Sequence, residues 1–139
     1  MDTAFEERIR ENFARQSVMQ LIGATLGVVS PGKVEIYLPV RPNLTQQDGF
    51  VHAGIVTTVL DSACGYAAYT LMPAASSVLS VEFKVNLLAP ARGQTIIARA
   101  EVKRAGRTLS VCTADAFGVE DGSEKLCSTM LGTMICIQK

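Results

Sequence analysis

The sequence predicts an α+β fold, an antiparallel sheet wrapped around one long central helix, with another helix at the N-terminus. Three observations predict it. Residues 53–72 form a mostly apolar run, too long for an ordinary strand and closed by Pro73, which a helix cannot readily incorporate. Its apolar residues Ile55, Val56, Val59, Leu60, Ala63, Ala67 and Leu71 lie all round a helical wheel, so the helix is expected to be buried on every face. The segments after it alternate apolar and polar residues with a period of two and are joined by short turns, as antiparallel neighbours are.

Taken in order, residues 3–21 read as an amphipathic helix whose stripe is Phe5, Ile9, Phe13 and Met19 or Ile22, with Glu6, Glu7, Arg10 and Glu11 on other faces. A hairpin follows: residues 24–30, a Pro31-Gly32 turn, and residues 33–40, where Val34, Ile36 and Leu38 alternate with Glu35 and Tyr37. Residues 41–51 carry Pro42, Asn43, Asp48 and Gly49 and read as a loop. After the central helix, residues 80–88 are expected to turn Val81, Phe83, Val85 and Leu87 inward. Residues 95–104 do the same with Ile96, Ala98, Ala100 and Val102. An Ala105-Gly106 turn, a strand over 108–119, an acidic turn around 120–122 and a last strand near 126–137 complete a single domain over 1–139. Open sheet edges and the back of the sheet still need cover, which self-association would supply.

Composition narrows the function. Thirteen basic residues balance thirteen acidic ones, and no basic stripe is present, so a nucleic-acid partner is not expected. The N-terminal stretch carries acids and no long apolar run, so a signal peptide is not expected. A membrane-spanning reading of residues 50–72 would bury Asp61 in lipid, so no membrane partner is expected. Cys64, Cys112, Cys127 and Cys136 lack C-x-x-C spacing and the chain has one histidine. No metal site is expected, and the free thiols suit a reducing cytoplasm.

Asp61 stands out because it is the only charged side chain between Asp48 and Glu82, in the middle of the apolar helix, with no Lys or Arg within helical reach. Aspartate is a poor helix former and an unpaired buried carboxylate is costly, so such residues concentrate at active sites. His52 precedes the helix, and the first turn at Ala53, Gly54 and Ile55 offers backbone N–H groups at the positive end of the dipole, a place where a carbonyl oxygen can gain charge. Ala53 and Asp61 are about 12 Å apart along the axis, too far to act on one carbonyl within one chain. An antiparallel pair of such helices would bring Asp61 of one subunit to Ala53 of the other, so a site shared across a two-fold homodimer is expected.

Residues 51–68, followed by 79–111, resemble the hotdog-fold acyl-CoA thioesterases of the PaaI-like (phenylacetate-pathway) group, over roughly residue 44 to the C-terminus. The specific part is the H-G-G-x6-D pattern, read here as His52-Ala53-Gly54 and Asp61, with the later P-A-x-G and basic-x-G-[KR]-T turns. The resemblance implies a hotdog fold and hydrolysis of an acyl-CoA ester. Asp61 would be nucleophile or general base, the Ala53 N–H would polarise the carbonyl, and His52 would brace the loop. It also implies that Gln46 contacts the reacting group and that Ser80 orients water or the carboxylate, with Gly54 lining the substrate. Lys103, Arg104 and Arg107 would hold coenzyme A phosphates, with Arg41, Lys84 and Arg92 as further candidates. Phe50, Val51, Leu60, Tyr66 and Leu79 are candidates to line the acyl pocket. No cofactor is implied beyond the coenzyme A of the substrate, and back-to-back packing of sheets would make a dimer of dimers. The departures are Ala53, where a methyl group replaces glycine and narrows the approach while keeping the N–H, and Gln46, which is longer than the Asn that relatives often have.

Three other readings fit parts of the sequence. A dehydratase on the same fold needs a carboxylate–histidine pair spaced differently from His52 and Asp61. A non-catalytic acyl-CoA binding module would not require Asp61. A structural oligomer would use Asp61 for hydrogen bonding alone.

Overall fold

A computed structural model describes residues 3–139. The elements run α1 (Ala4–Ala14), α2 (Ser17–Ile22), β1 (Thr25–Ser30), β2 (Lys33–Pro39), a short 3-10 turn at Pro42–Leu44, α3 (Ala53–Tyr69), β3 (Ser76–Leu87), β4 (Thr95–Ala105), β5 (Leu109–Glu120) and β6 (Ser123–Gln138). Six strands form one sheet in the order β1-β2-β4-β5-β6-β3, and every neighbouring pair is antiparallel. The sheet curls around α3. Val56, Val59, Leu60, Ala63, Cys64 and Ala67 of the helix pack onto inward residues such as Ile36, Leu38, Ile96, Ala98, Cys112, Ala114, Met130 and Met134. Among the described residues, no helix is long and apolar enough to cross a membrane.

The N-terminal segment is two helices rather than one over 3–21. Gln16 is extended at ψ 96° and divides them. In an unbroken helix Met19 and Ile22 would lie about 80° and 140° round from Ile9 on the side away from Phe13, off the Ile9–Phe13 stripe. The break lets all four of these side chains enter one core, where each is buried. The Pro31-Gly32 turn forms as the sequence indicates, with Gly32 at φ +75°, and its N–H donates to Thr70 Oγ1 at 2.8 Å. This ties the first hairpin to the end of α3.

The central helix stops at Tyr69, short of Met72. The Thr70 hydroxyl donates to the Ala67 carbonyl, and the Leu71 and Met72 N–H groups turn to the i−3 carbonyls of Ala68 and Tyr69. Nor is the helix covered all round. Gly54, Thr58, Asp61 and Gly65 fall within about 60° of one another on the wheel, and this stripe is exposed or half-buried, because the sheet encloses the other faces.

Strand β3 lies at the sheet edge and is largely exposed. A bulge at Val81 places Ser80 opposite Met134 and Glu82 opposite Thr133. The expected inward set of Val81, Phe83, Val85 and Leu87 is therefore corrected at its first member. The bulge shifts the inward positions from Val78 and Ser80 to Phe83, Val85 and Leu87. Phe83 and Leu87 remain 42% and 56% exposed.

Candidate active site

At the start of α3 the backbone donors are distributed by one side chain. His52 is the N-cap, and its Nδ1 accepts the Gly54 N–H at 2.8 Å. The Ile55 and Val56 N–H groups donate to the His52 carbonyl at 2.9 and 3.1 Å. These bonds leave the Ala53 N–H with no acceptor among the described residues, at the positive end of a helix of 17 residues. Accepting through Nδ1 also fixes the imidazole as the Nε2–H tautomer.

The loop ahead of the helix is held by Gln46. Its Oε1 accepts from the Asp48 and Phe50 N–H groups at 2.6 and 3.2 Å, and its own N–H donates to the Phe50 carbonyl at 2.8 Å. The side-chain amide NH2 is then the group left to meet a ligand. Gln46, Phe50, Val51, Ala53 and Val56 line a mostly apolar cleft of about 380 Å³ with Leu87–Ala91 and Ser128.

Asp61 sits eight residues further along, half-buried on the uncovered stripe. Its Oδ1 accepts a 2.6 Å hydrogen bond from Ser80 Oγ, and Ser80 also lies 3.3 Å from the Met134 sulfur. Asp61 has no ion-pair partner among the described residues. A carboxylate fixed by one hydroxyl and open on its other lone pairs can accept a proton from water or attack an electrophile. Asp61 and Ser80 line a separate cleft of about 290 Å³ with Asn12, Arg15, Gln16, Ser62, Gly65, Tyr66, Val78 and Met134. Tyr66 OH donates to Asn12 Oδ1 at 3.0 Å, and burial pushes the phenol up to about 12 against the opposing pull of Arg15. Gln16 Nε2 donates to Ser62 Oγ at 3.2 Å, while its Oε1 is buried with no partner among the described residues.

The structure thus joins the expected residues in two groups, His52, Ala53, Gly54 and Gln46 at one end of α3, and Asp61 with Ser80 at its midpoint. It does not join the groups within one chain. Lys103, Arg104 and Arg107 are exposed around the β4–β5 turn, at the same end of the sheet as Val78 and Ser80. Of the proposed pocket residues, Phe50 and Val51 line the Ala53 cleft and Tyr66 the Asp61 cleft. Leu60 is sealed in the core, and Leu79, between Val78 and Ser80 on its strand, faces away and is exposed. The sequence reading missed Asn12, Arg15, Gln16 and Gly65. The Gln16-Ser17 break, where the apolar stripe changes face, was the available signal.

Three comparisons bear on this arrangement. A family model described as the thioesterase superfamily matches residues 48–125. The crystal structure of a thioesterase family protein from Silicibacter pomeroyi is 50% identical, covers 97% of this chain and 99% of that one, and superposes with a TM-score of 0.95. A Halobacterium salinarum protein named for esterase activity is 33% identical over 99 residues, and the match spans 68% of this chain and 65% of that protein. Human acyl-coenzyme A thioesterase 13 is 27% identical over 117 residues, covering 83% of each chain.

Proposed function

The chain belongs to the thioesterase superfamily and has its hotdog fold, and we propose that it hydrolyses coenzyme A thioesters of aromatic or medium- to long-chain aliphatic acids. The supporting observation is the division of labour along α3. The cap leaves the Ala53 N–H open at the positive end, and a carboxylate oriented by Ser80 waits about 12 Å away. The thioester carbonyl oxygen accepts from the Ala53 N–H. Asp61 of the partner subunit then attacks the carbonyl carbon and expels the thiolate, water hydrolysing the resulting anhydride; in the other form of the reaction Asp61 takes a proton from the attacking water. Both routes end in a carboxylic acid and coenzyme A thiol.

The dimer is part of the proposal. A two-fold axis near residue 57 sets position 61 of one helix against 53 of the other, and the small residues of the uncovered stripe permit close approach. Edge-to-edge pairing of β3 would extend the sheet and cover Phe83 and Leu87. Leu109 and Leu131, exposed at outward positions on the back of the sheet, suit a dimer of dimers. Lys103, Arg104 and Arg107 would meet coenzyme A phosphates from the Asp61 side, and four free cysteines suit a cytoplasmic location.

The test is thiol release from a panel of aromatic and aliphatic acyl-CoA esters, with wild type beside Asp61→Asn. A loss of roughly 100-fold or more in kcat, with assembly and melting unchanged, is expected. An inert wild type, or an equally active variant, would overturn the mechanism and leave an acyl-CoA binding module.

A further inference from the structure

Gly65 lies one helical turn beyond Asp61 in the same cleft, which Asn12, Gln16 and Tyr66 also line. Glycine inside a helix costs about 1 kcal/mol relative to alanine. Packing within the chain does not demand it here, since a Cβ at this position would meet no atom within 4 Å and the backbone has no positive φ. What the missing side chain accommodates therefore lies outside the chain, in the open space beside Asp61.

The wall that flanks Asp61 and Gly65 is braced and polar. Tyr66 is bonded to Asn12, Gln16 is bonded to Ser62, and these contacts fasten the α1–α2 junction to α3. Gln16 Oε1 is already buried without a partner among the described residues. Hydrocarbon pressed onto this wall would gain no hydrogen bond there and would seal its polar groups from water.

We propose that Gly65 is a specificity-determining residue, the floor of an acyl subsite that runs from the carbonyl at Asp61 over Gly65 and ends at the Asn12–Gln16–Tyr66 wall. The inference rests on the thioesterase reading above. Acyl groups extending several carbons past the carbonyl use the space that Gly65 leaves, and the wall sets their upper length. Residues from opposite sides of the subsite then act in opposite directions. A side chain at 65 shortens it, and a smaller side chain at 16 lengthens it.

The experiment measures kcat/KM over a ladder of straight-chain esters from acetyl- to lauroyl-CoA for wild type, Gly65→Ala, Gly65→Val and Gln16→Ala. Gly65→Val is expected to lower the hexanoyl-to-acetyl ratio by about ten-fold or more, with Gly65→Ala intermediate. Gln16→Ala is expected to move the optimum to longer chains. Alanine is the better helix former, so Gly65→Ala should melt no lower than wild type, which separates the effect from misfolding. A Gly65→Val variant that scales every chain length down in parallel, as a glycine serving only to seat a partner subunit would, overturns the proposal. So does a Gln16→Ala variant with an unmoved optimum. Wild-type turnover with unmoved ratios, or turnover of aromatic esters alone, overturns this inference alone, whereas a wild type inert toward straight-chain and aromatic esters alike overturns the thioesterase reading with it.

Discussion

His52 decides which backbone donor is available at the helix start, because its ring takes the Gly54 N–H and its carbonyl takes the next two. This makes the proposed oxyanion donor testable by a substitution that spares the helix. Ala53 is the first helical residue, where proline is well tolerated, and His52 at ψ 137° already has the extended conformation that precedes proline. Ala53→Pro is therefore expected to keep the circular dichroism of wild type while lowering kcat by about 10²–10³-fold, the usual effect of removing one oxyanion donor. Full activity in a folded Ala53→Pro protein would remove the Ala53 N–H from the mechanism. At this scale Asp61 and Ala53 were legible, one as a lone charge in an apolar helix and the other as the residue at a helix start. Gln46 was placed near the reacting group, but its use of Oε1 to fold its own loop depends on backbone positions that residue type does not disclose. Gln16 meets Ser62 across 46 residues, a contact that no local pattern encodes.

The elements were legible wherever one period held throughout. The central helix and strands β2, β4, β5 and β6 keep a constant period over most of their length, whereas the N-terminal helix and β3 each change face part-way. In both, the site gains from the irregularity: the break at Gln16 builds the cleft wall, and the bulge at Val81 lets Ser80 and Phe83 share the inner face. Packing of α3 on β5 has a consequence for stability in alkali. Burial pushes the Cys112 thiol from 9.0 up to about 11, raises Cys64 as well, and moves Tyr66 from 10.0 to about 12. The folded state then holds protons that the unfolded chain has already released, so stability falls with rising pH. The contribution is complete below the unfolded values and is lost as pH rises through the folded ones. The urea midpoint is expected to fall as pH climbs from 9.0 toward about 11, and Cys112→Ala should flatten the lower part of that fall. A flat midpoint across this window would contradict the burial of these groups.

On the scale of the whole molecule, the separation of Ala53 from Asp61 turns assembly into a kinetic prediction. If each site takes Ala53 from one subunit and Asp61 from the other, an Ala53→Pro subunit retains a competent Asp61, and an Asp61→Asn subunit retains a competent Ala53. Each variant alone has two broken sites per dimer. In a mixed dimer one site carries both lesions and the other carries neither. Equal amounts of the two, unfolded together and refolded, should distribute at random, so that half the dimers are mixed and about a quarter of wild-type activity returns. The exposed apolar edge of β3, with Phe83 and Leu87 uncovered, gives the subunits a reason to pair in this way. Complementation would have no source if one chain held a whole site, because each variant would then carry its lesion into every site it forms. Recovery of activity on co-refolding, and its absence when the separately refolded variants are simply mixed and assayed before subunits exchange, is the expected result. Failure to recover, with mixed dimers demonstrated by differently tagged subunits, would place both groups in a single chain and require α3 to bend or the substrate to bridge the two clefts.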